Sequence, residues 1–136
     1  MQKMLIISLF LLTALQACSK MDDHFAVPQQ ATVQTANTAI HQFTGYAQGN
    51  TVHLTFSYNG NLSQVAAFRI YSGVDSHQLC AIGELSISDT TVTNFEFVDA
   101  HPKGDPTYYL IGIVDQQGHI TYANLILPVF LHGQHN

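Results

Sequence analysis

The side chains best suited to chemistry in this sequence are eight histidines and nine acidic residues. The histidines are scattered singly, and only His132 and His135 lie within four positions of each other. That spacing does not supply the grouped ligands that a protein metal site uses. The sequence therefore predicts no metal site and no cofactor.

Catalytic pairs of carboxylates are also hard to assemble. Asp99 and Asp115 flank a predicted strand of about eight residues, which spans roughly 26 Å and is too long for two groups that must share one substrate. The sequence contains no Gly-Xaa-Ser-Xaa-Gly nucleophile turn, no phosphate-binding loop and no dinucleotide-binding glycine pattern. These absences predict a protein that is not an enzyme and has no catalytic residues.

The first cysteine follows a segment typical of export. Lys3 precedes an apolar run over residues 4–12, which has the length of a secretion signal and is too short to span a bilayer. Residues 15–18, Leu-Gln-Ala-Cys, resemble the lipobox of bacterial lipoproteins. The resemblance implies that a signal peptide over residues 1–17 is removed and that Cys18 is acylated. A secreted protein cut elsewhere is the alternative.

The residues after Cys18 indicate a destination. Lys20, Asp22 and Asp23 resemble the short charged signal that, in some Gram-negative lineages, sends lipoproteins to the outer face of the outer membrane. A polar linker is the alternative reading. Residues 18–37 have little to bury and predict a flexible tether. The expected partner is thus the membrane, through the lipid on Cys18, and the location is the outer membrane with the domain facing the cell exterior.

The second cysteine, Cys80, lies in the apolar run 79–82. With Cys18 used as the lipid carrier, Cys80 is expected to be buried as a small hydrophobe without a disulfide partner. His77 is three positions away, so an extended strand would place the two side chains on opposite faces. A Cys/His nucleophile is therefore not expected.

Composition excludes one class of partner. The chain has four Lys and Arg residues and a formal net charge of −5. Proteins that bind nucleic acids use basic side chains to neutralise phosphates. We therefore expect no nucleic-acid partner.

The rest of the chain consists of short extended segments between turn signals. Such regular spacing without a helical period predicts an all-β sandwich or barrel over residues 38–131, followed by a disordered tail at 132–136. Seven strands are predicted, near residues 39–47, 51–58, 65–71, 77–84, 91–98, 107–114 and 119–130.

Six short motifs narrow the fold. They read FRIYS, LCAIG, FEFVD, YYL, VDQQG and TYAN, and begin at residues 68, 79, 95, 108, 114 and 121. Their order resembles fibronectin type III-like domains of secreted bacterial surface proteins, over residues 38–130. The resemblance implies a seven-stranded immunoglobulin/fibronectin type III-like sandwich with Phe56 in place of a buried tryptophan. It also implies an inward Tyr109 and a corner position at Thr107, or at Tyr108 if the register shifts by one.

The implied topology sorts the loops by end. One end carries residues 59–61, 86–90 and 115–118, beside the start of the domain. The other end carries Asp75, Asp99 and Asp105, whose oxygen atoms could hold a calcium ion or form a solvated acidic rim.

Loops at the ends of a sandwich are common binding sites. The candidate binding residues at the first end are Tyr58, Asn59, Asn61, Gln116, Gln117 and His119. The expected function is a surface-exposed, non-catalytic domain that binds protein or glycan, with exposed aromatic residues among Tyr58, Tyr71, Tyr108 and Tyr122. The alternative is a structural or accessory subunit of a larger envelope complex, which would dock through the apolar residues 124–131.

Overall fold

The structure is a computed structural model that describes the backbone of residues 25–26 and all of residues 39–132. The predicted signal peptide, Cys18 and the export residues Lys20, Asp22 and Asp23 lie outside these residues. The rest of the predicted tether and residues 133–136 also lie outside them.

The smaller sheet has three antiparallel strands. β2 spans Ile40–Gln48, β3 spans Thr51–Tyr58 and β6 spans Asn94–Asp99, in the order β2-β3-β6. Along β3 every second side chain is buried, beginning at Val52. This two-residue period is the one that the sequence predicts for a strand with one face on a core.

The larger sheet has six antiparallel strands. β1 (Phe25–Ala26), β5 (Gln78–Ser86), β4 (Val65–Asp75) and β7 (Thr107–Asp115) lie side by side in that order. Both β8 (Ile120–Tyr122) and β9 (Leu127–Val129) pair with β7. A short 3₁₀ helix, Leu62–Gln64, connects β3 to β4.

The core lies between the two sheets and is rich in aromatic rings. Phe56 has its ring centroid 6.4 Å from that of Phe43, 5.1 Å from that of Phe68 and 5.3 Å from that of Phe95. Tyr109 of β7 is fully buried, as expected for an inward residue. The all-β sandwich prediction is confirmed.

A buried hydrogen bond joins the sheets. The Tyr109 hydroxyl, on the larger sheet, donates to Asp99 Oδ2 at the end of β6, at 2.8 Å. Burial, followed by this bond to the carboxylate, raises the pKa of Tyr109. Nearby, the buried Thr107 donates through Oγ1 to the Gly104 carbonyl at 2.6 Å and accepts from Gly104 N at 3.1 Å. Thr107 thus fixes the turn before β7 from the predicted corner position.

Three details differ from the sequence prediction. The predicted last strand is divided into β8 and β9. β1 is an additional short strand that pairs with β5 at the edge of the larger sheet, with Phe25 opposite Leu79. Cys80 is half-buried and disulfide-bonded, so the expectation of a buried cysteine without a disulfide partner is wrong. That expectation assigned the sulfur of Cys18, the chain's other cysteine, to a lipid.

Candidate functional site

The two loops that the sequence singles out do meet at one end of the sandwich. Gln116 donates from its backbone N to the Gln64 carbonyl at 3.2 Å, and from Nε2 to the Val65 carbonyl at 3.1 Å. A shallow depression of about 480 Å³ lies between them, lined by Ser63, Gln64, Asp115, Gln116 and Gln117. The predicted grouping of these loops is therefore present.

Three of the six candidate side chains there, those of Asn61, Gln116 and His119, hold the loops in place. Asn61 Oδ1 accepts from Ser63 N at 3.1 Å and from Ser63 Oγ at 2.7 Å, which caps the 3₁₀ helix. His119 Nδ1 donates to Asp115 Oδ2 at 3.1 Å. Asn59 and Gln117 are exposed on the loop surfaces. Hydrogen bonds within the loops compete with any ligand for the same atoms.

Tyr58 is unsuited to a contact surface. Only 7% of the residue is exposed, and its ring packs against Phe68 with the centroids 5.2 Å apart. Burial also raises the pKa of its hydroxyl. Tyr58 is therefore removed from the candidate binding residues, because its side chain lies on the inward face of β3.

The three aspartates at the opposite end each bind their own neighbours. Asp75 Oδ1 accepts from His77 N at 2.9 Å, and Asp105 Oδ1 accepts from Leu131 N at 2.9 Å. Asp99 is buried against Tyr109. In the part of the chain that the structure describes, no three His, Cys, Asp or Glu residues come together as a metal site.

The exposed tyrosine lies elsewhere, on β2. Of the four tyrosines expected to mark a binding face, Tyr58 and Tyr71 are buried and the other two are half-buried. Tyr46, by contrast, is 55% exposed. It points outward from the smaller sheet, on the face that is turned away from the core.

Outward side chains of the smaller sheet form rows across β2, β3 and β6. The strand register places Tyr46 opposite His53, and His53 opposite Val98. The rings of Tyr46 and His53 stack with their centroids 5.1 Å apart and their planes 9° apart. His53 Nδ1 donates to Glu96 Oε1 at 3.2 Å. We call this outward surface, with the groove beside it, the β2-β3-β6 face.

A β-bulge opens the groove beside the Tyr46 row. The pairing of β2 with β3 shifts between His41 and Thr44, and Gln42 has a φ of 50° there. The bulge interrupts the regular ladder and leaves a groove of about 420 Å³. Its lining combines two amides, two hydroxyls, one carboxylate and two phenyl rings, from Gln42, Asn94, Thr44, Thr55, Glu96, Phe56 and Phe95.

The groove has both apolar and polar lining groups and carries one carboxylate. Thr44 Oγ1 and Thr55 Oγ1 share a hydrogen bond of 2.9 Å. Among the described residues of the lining, Glu96 is the only charged one, and none is a lysine or arginine. An exposed ring beside several hydrogen-bonding groups is a surface that can bind a ligand with both apolar and polar parts.

Among known proteins, the chain matches no protein-family model and no curated sequence. Within the described residues, no helix is both long enough and apolar enough to cross a bilayer.

Proposed function

We propose that this protein is a lipoprotein of a Gram-negative outer membrane, anchored through Cys18 and facing the cell exterior. Its fibronectin type III-like sandwich acts as a non-catalytic module that binds a protein or glycan on the β2-β3-β6 face. The observation that carries the binding role is the 55% exposure of Tyr46, stacked on His53 beside a groove with both polar and apolar groups.

The anchoring proposal is supported by sequence. An apolar run over residues 4–12 precedes Leu-Gln-Ala-Cys, and Lys20, Asp22 and Asp23 follow the cysteine. A Cys18 sulfur that carries diacylglycerol is a thioether and cannot also form a disulfide. Cys80 is disulfide-bonded in the fold and Cys18 is the other cysteine of the chain, so the anchor requires that Cys80 be a free thiol in the lipidated protein or pair with a cysteine of another molecule. The fate of the Cys18 sulfur therefore decides between the anchor and a disulfide within the chain.

The binding proposal is supported by what the exposed side chains can offer a ligand. Tyr46 presents an aromatic ring to solvent beside groups that form hydrogen bonds, and ligand sites combine these two kinds of group. Val98, in the row of Tyr46, is also 45% exposed. By contrast, the hydrogen bonds of Asn61 and His119 stabilise the loops at the end of the sandwich. Hydrogen bonds also join side chains on the β2-β3-β6 face. The face is the better candidate for ligand contact because its tyrosine, Tyr46, is exposed, whereas Tyr58 at that end is buried.

The position of β1 bears on how the sandwich would stand on the membrane. β1 pairs with Gln78 and Leu79 at the start of β5, beside the β4-β5 turn. Seven residue steps separate Cys18 from Phe25, a reach of at most about 25 Å. On this proposal the β4-β5 turn lies near the membrane, and the loop at residues 59–61 points away from it.

Protease shaving of intact cells tests the location. We expect the wild-type domain to be cleaved from unlysed cells, and the variant with Lys20, Asp22 and Asp23 all changed to alanine to be protected. A lysed sample of each strain controls for intrinsic resistance to the protease. Protection of the wild type in unlysed cells, with cleavage after lysis, would overturn the exterior location.

Photocrosslinking on the same cells tests the binding face. A photoreactive residue replaces Tyr46, and the control replaces Val92, which is 42% exposed in the loop before β6. We expect adducts with protein or glycan from position 46 in excess of those from position 92. Equal yields from the two positions would contradict a binding role for this face.

The accessory-subunit function has one observation in its favour. Leu125 and Phe130 flank β9 and are 47% and 40% exposed. β9 lies beside β7 at one edge of the larger sheet, where a partner strand could pair with it. Stable co-purification of a fixed partner, abolished by Leu125→Asp but unaffected by Tyr46→Ala, would favour this second function.

A further inference from the structure

We propose that the β2-β3-β6 face binds a neutral oligosaccharide. This inference rests on the proposed function and names the ligand of the same site. It follows from three properties of the face: a ring with an available surface, a set of hydrogen-bonding groups, and a carboxylate that has no lysine or arginine beside it among the described residues of the groove.

The first property is the stacked pair. His53 covers one face of the Tyr46 ring, which leaves the opposite ring face for a ligand because the residue is 55% exposed. A pyranose has C–H groups on one side of its ring and hydroxyls around its edge. Its C–H side packs on an aromatic ring as other apolar groups do, while the edge remains free for hydrogen bonds.

The second property is the chemistry of the groove. Gln42 and Asn94 each offer an amide donor and an amide acceptor, and Thr44 and Thr55 add hydroxyls. Sugar hydroxyls both donate and accept, so a lining with both kinds of group can satisfy them. Thr44 lies two positions before Tyr46 on the same strand, so the two are about 7 Å apart along the sheet. One sugar can therefore stack on Tyr46 while the next contacts the groove.

The third property is charge. Glu96 contributes a carboxylate to the groove, and this carboxylate pairs with His53 of the Tyr46 row at 3.2 Å. Residues 39–132 contain one arginine and one lysine. Arg69 bonds to Glu84 at 2.9 Å on the larger sheet, and Lys103 lies in the loop before β7. A sugar acid would place its carboxylate near Glu96, and no lysine or arginine of the described groove lining would offset the repulsion.

A protein partner fits the face less well. Protein interfaces usually place several buried apolar anchors at their centre. On this face the large apolar side chains that are exposed are Tyr46 and Val98, and polar side chains surround them. The face thus matches a ligand that needs one stacking surface and many hydrogen bonds.

The test uses the full-length lipoprotein purified in detergent and a printed array of glycans. The array contains neutral glucans, galactans and chitin oligosaccharides, together with uronic-acid and sialylated counterparts. We expect binding to one or more neutral oligosaccharides. Tyr46→Ala should weaken that binding about tenfold, the effect of losing about 1.4 kcal/mol of stacking, whereas Tyr46→Phe should keep it within about twofold.

Two controls make the result specific. Phe130→Ala removes an aromatic ring that is exposed to a similar degree but lies beside β9, and it should leave glycan binding unchanged. Thermal melting of Tyr46→Ala should match the wild type, because an outward ring of β2 contributes little to the core. Glu96→Gln should raise the binding of acidic glycans relative to neutral ones.

Each contrary outcome has a distinct meaning. Equal binding by wild type and Tyr46→Ala would overturn the site, and preference for acidic glycans would overturn the charge argument. Absence of binding to every glycan would overturn the inference. If position 46 still crosslinks to a protein on cells, the proposed binding function survives that failure; if it crosslinks to nothing, both fail.

Discussion

At the scale of single residues, Phe56 lies at the centre of the aromatic core. It is 2% exposed and contacts rings from both sheets. Phe56→Ala should lower the free energy of unfolding by about 3–5 kcal/mol, because the remaining rings cannot close the cavity. Urea denaturation measures the change. The matched control, Phe130→Ala, should change it by less than about 1 kcal/mol, and a similar small loss for Phe56→Ala would remove that ring from the core.

Asp105 ties the end of the domain to the loop before β7. His132 Nδ1 donates to Asp105 Oδ2 at 2.7 Å, and Leu131 N donates to Oδ1 at 2.9 Å. The side-chain bond from His132 is the main reason that the pKa of Asp105 lies below its ordinary value of 3.8. A carboxylate with a lowered pKa stabilises the fold above pH 3.8 and loses this contribution as the pH falls through its folded pKa.

An NMR titration checks this behaviour. The amide signal of Leu131 should shift with a midpoint below pH 3.8, the ordinary pKa of the Asp105 carboxyl. In His132→Ala the midpoint should move up towards that value, because the main stabilising bond is lost. A wild-type midpoint at or above 3.8 would show that these bonds do not form in solution.

At the scale of elements, the bond between Tyr109 and Asp99 joins β7 to the end of β6 across the core. Tyr109→Phe keeps the ring but leaves the buried carboxylate without its donor from the other sheet. We expect a loss of about 1.5–3 kcal/mol in the free energy of unfolding, typical of a hydrogen bond to a charged group.

The neighbouring tyrosine provides the control for this substitution. Tyr108 is half-buried and points to the opposite face of β7. Tyr108→Phe should change the free energy of unfolding by less than about 0.5 kcal/mol. Thermal or urea denaturation of both variants measures the difference, and equal losses would contradict a special role for the bond between the sheets.

Strands with a regular alternation could be predicted from the sequence. β2 shows why the exposed Tyr46 of the β2-β3-β6 face could not. Ile40 and Phe43 both point inward, although they are an odd number of positions apart. The bulge between His41 and Thr44 reverses the phase of alternation. Extrapolation from Ile40 without the bulge would place Tyr46 inside, so the exposed ring was visible only in the folded chain.

The last strand illustrates a second limit. Residues 124–131 form an apolar run, but Pro128 lies within it, and the paired segment is only Leu127–Val129. β9 packs closely against Gly45 of β2. A Cβ on residue 45 would lie only 2.7 Å from Val129 Cγ2, so this packing needs a glycine there. Such close approach depends on both sheets and is absent from the local pattern.

At the scale of the whole molecule, the two-sheet architecture followed from strand count, turn signals and the order of motifs. The candidate site could not be predicted in the same way, because the sequence places polar residues in loops without showing which atoms they bind. Asn61 and Gln116 proved to be supports for the loops where they lie. The two strands that hold Tyr46 and Glu96, β2 and β6, are separated by β3 and distant in sequence, so their common face required the register of the sheet.

The two cysteines allow one decisive experiment on the whole molecule. If Cys18 carries the anchor, Cys18→Ser should release the protein from the membrane, because each buried methylene contributes about 0.8 kcal/mol and two or three chains hold it stably. Cys80→Ser should leave the protein in the membrane, since Cys80 lies on β5 of the sandwich. Detergent phase partition measures whether each variant stays with the membrane phase, and the intact mass of the wild type shows whether acyl chains are attached. Retention of Cys18→Ser in the detergent phase, or a wild-type mass without added acyl chains, would refute the anchor.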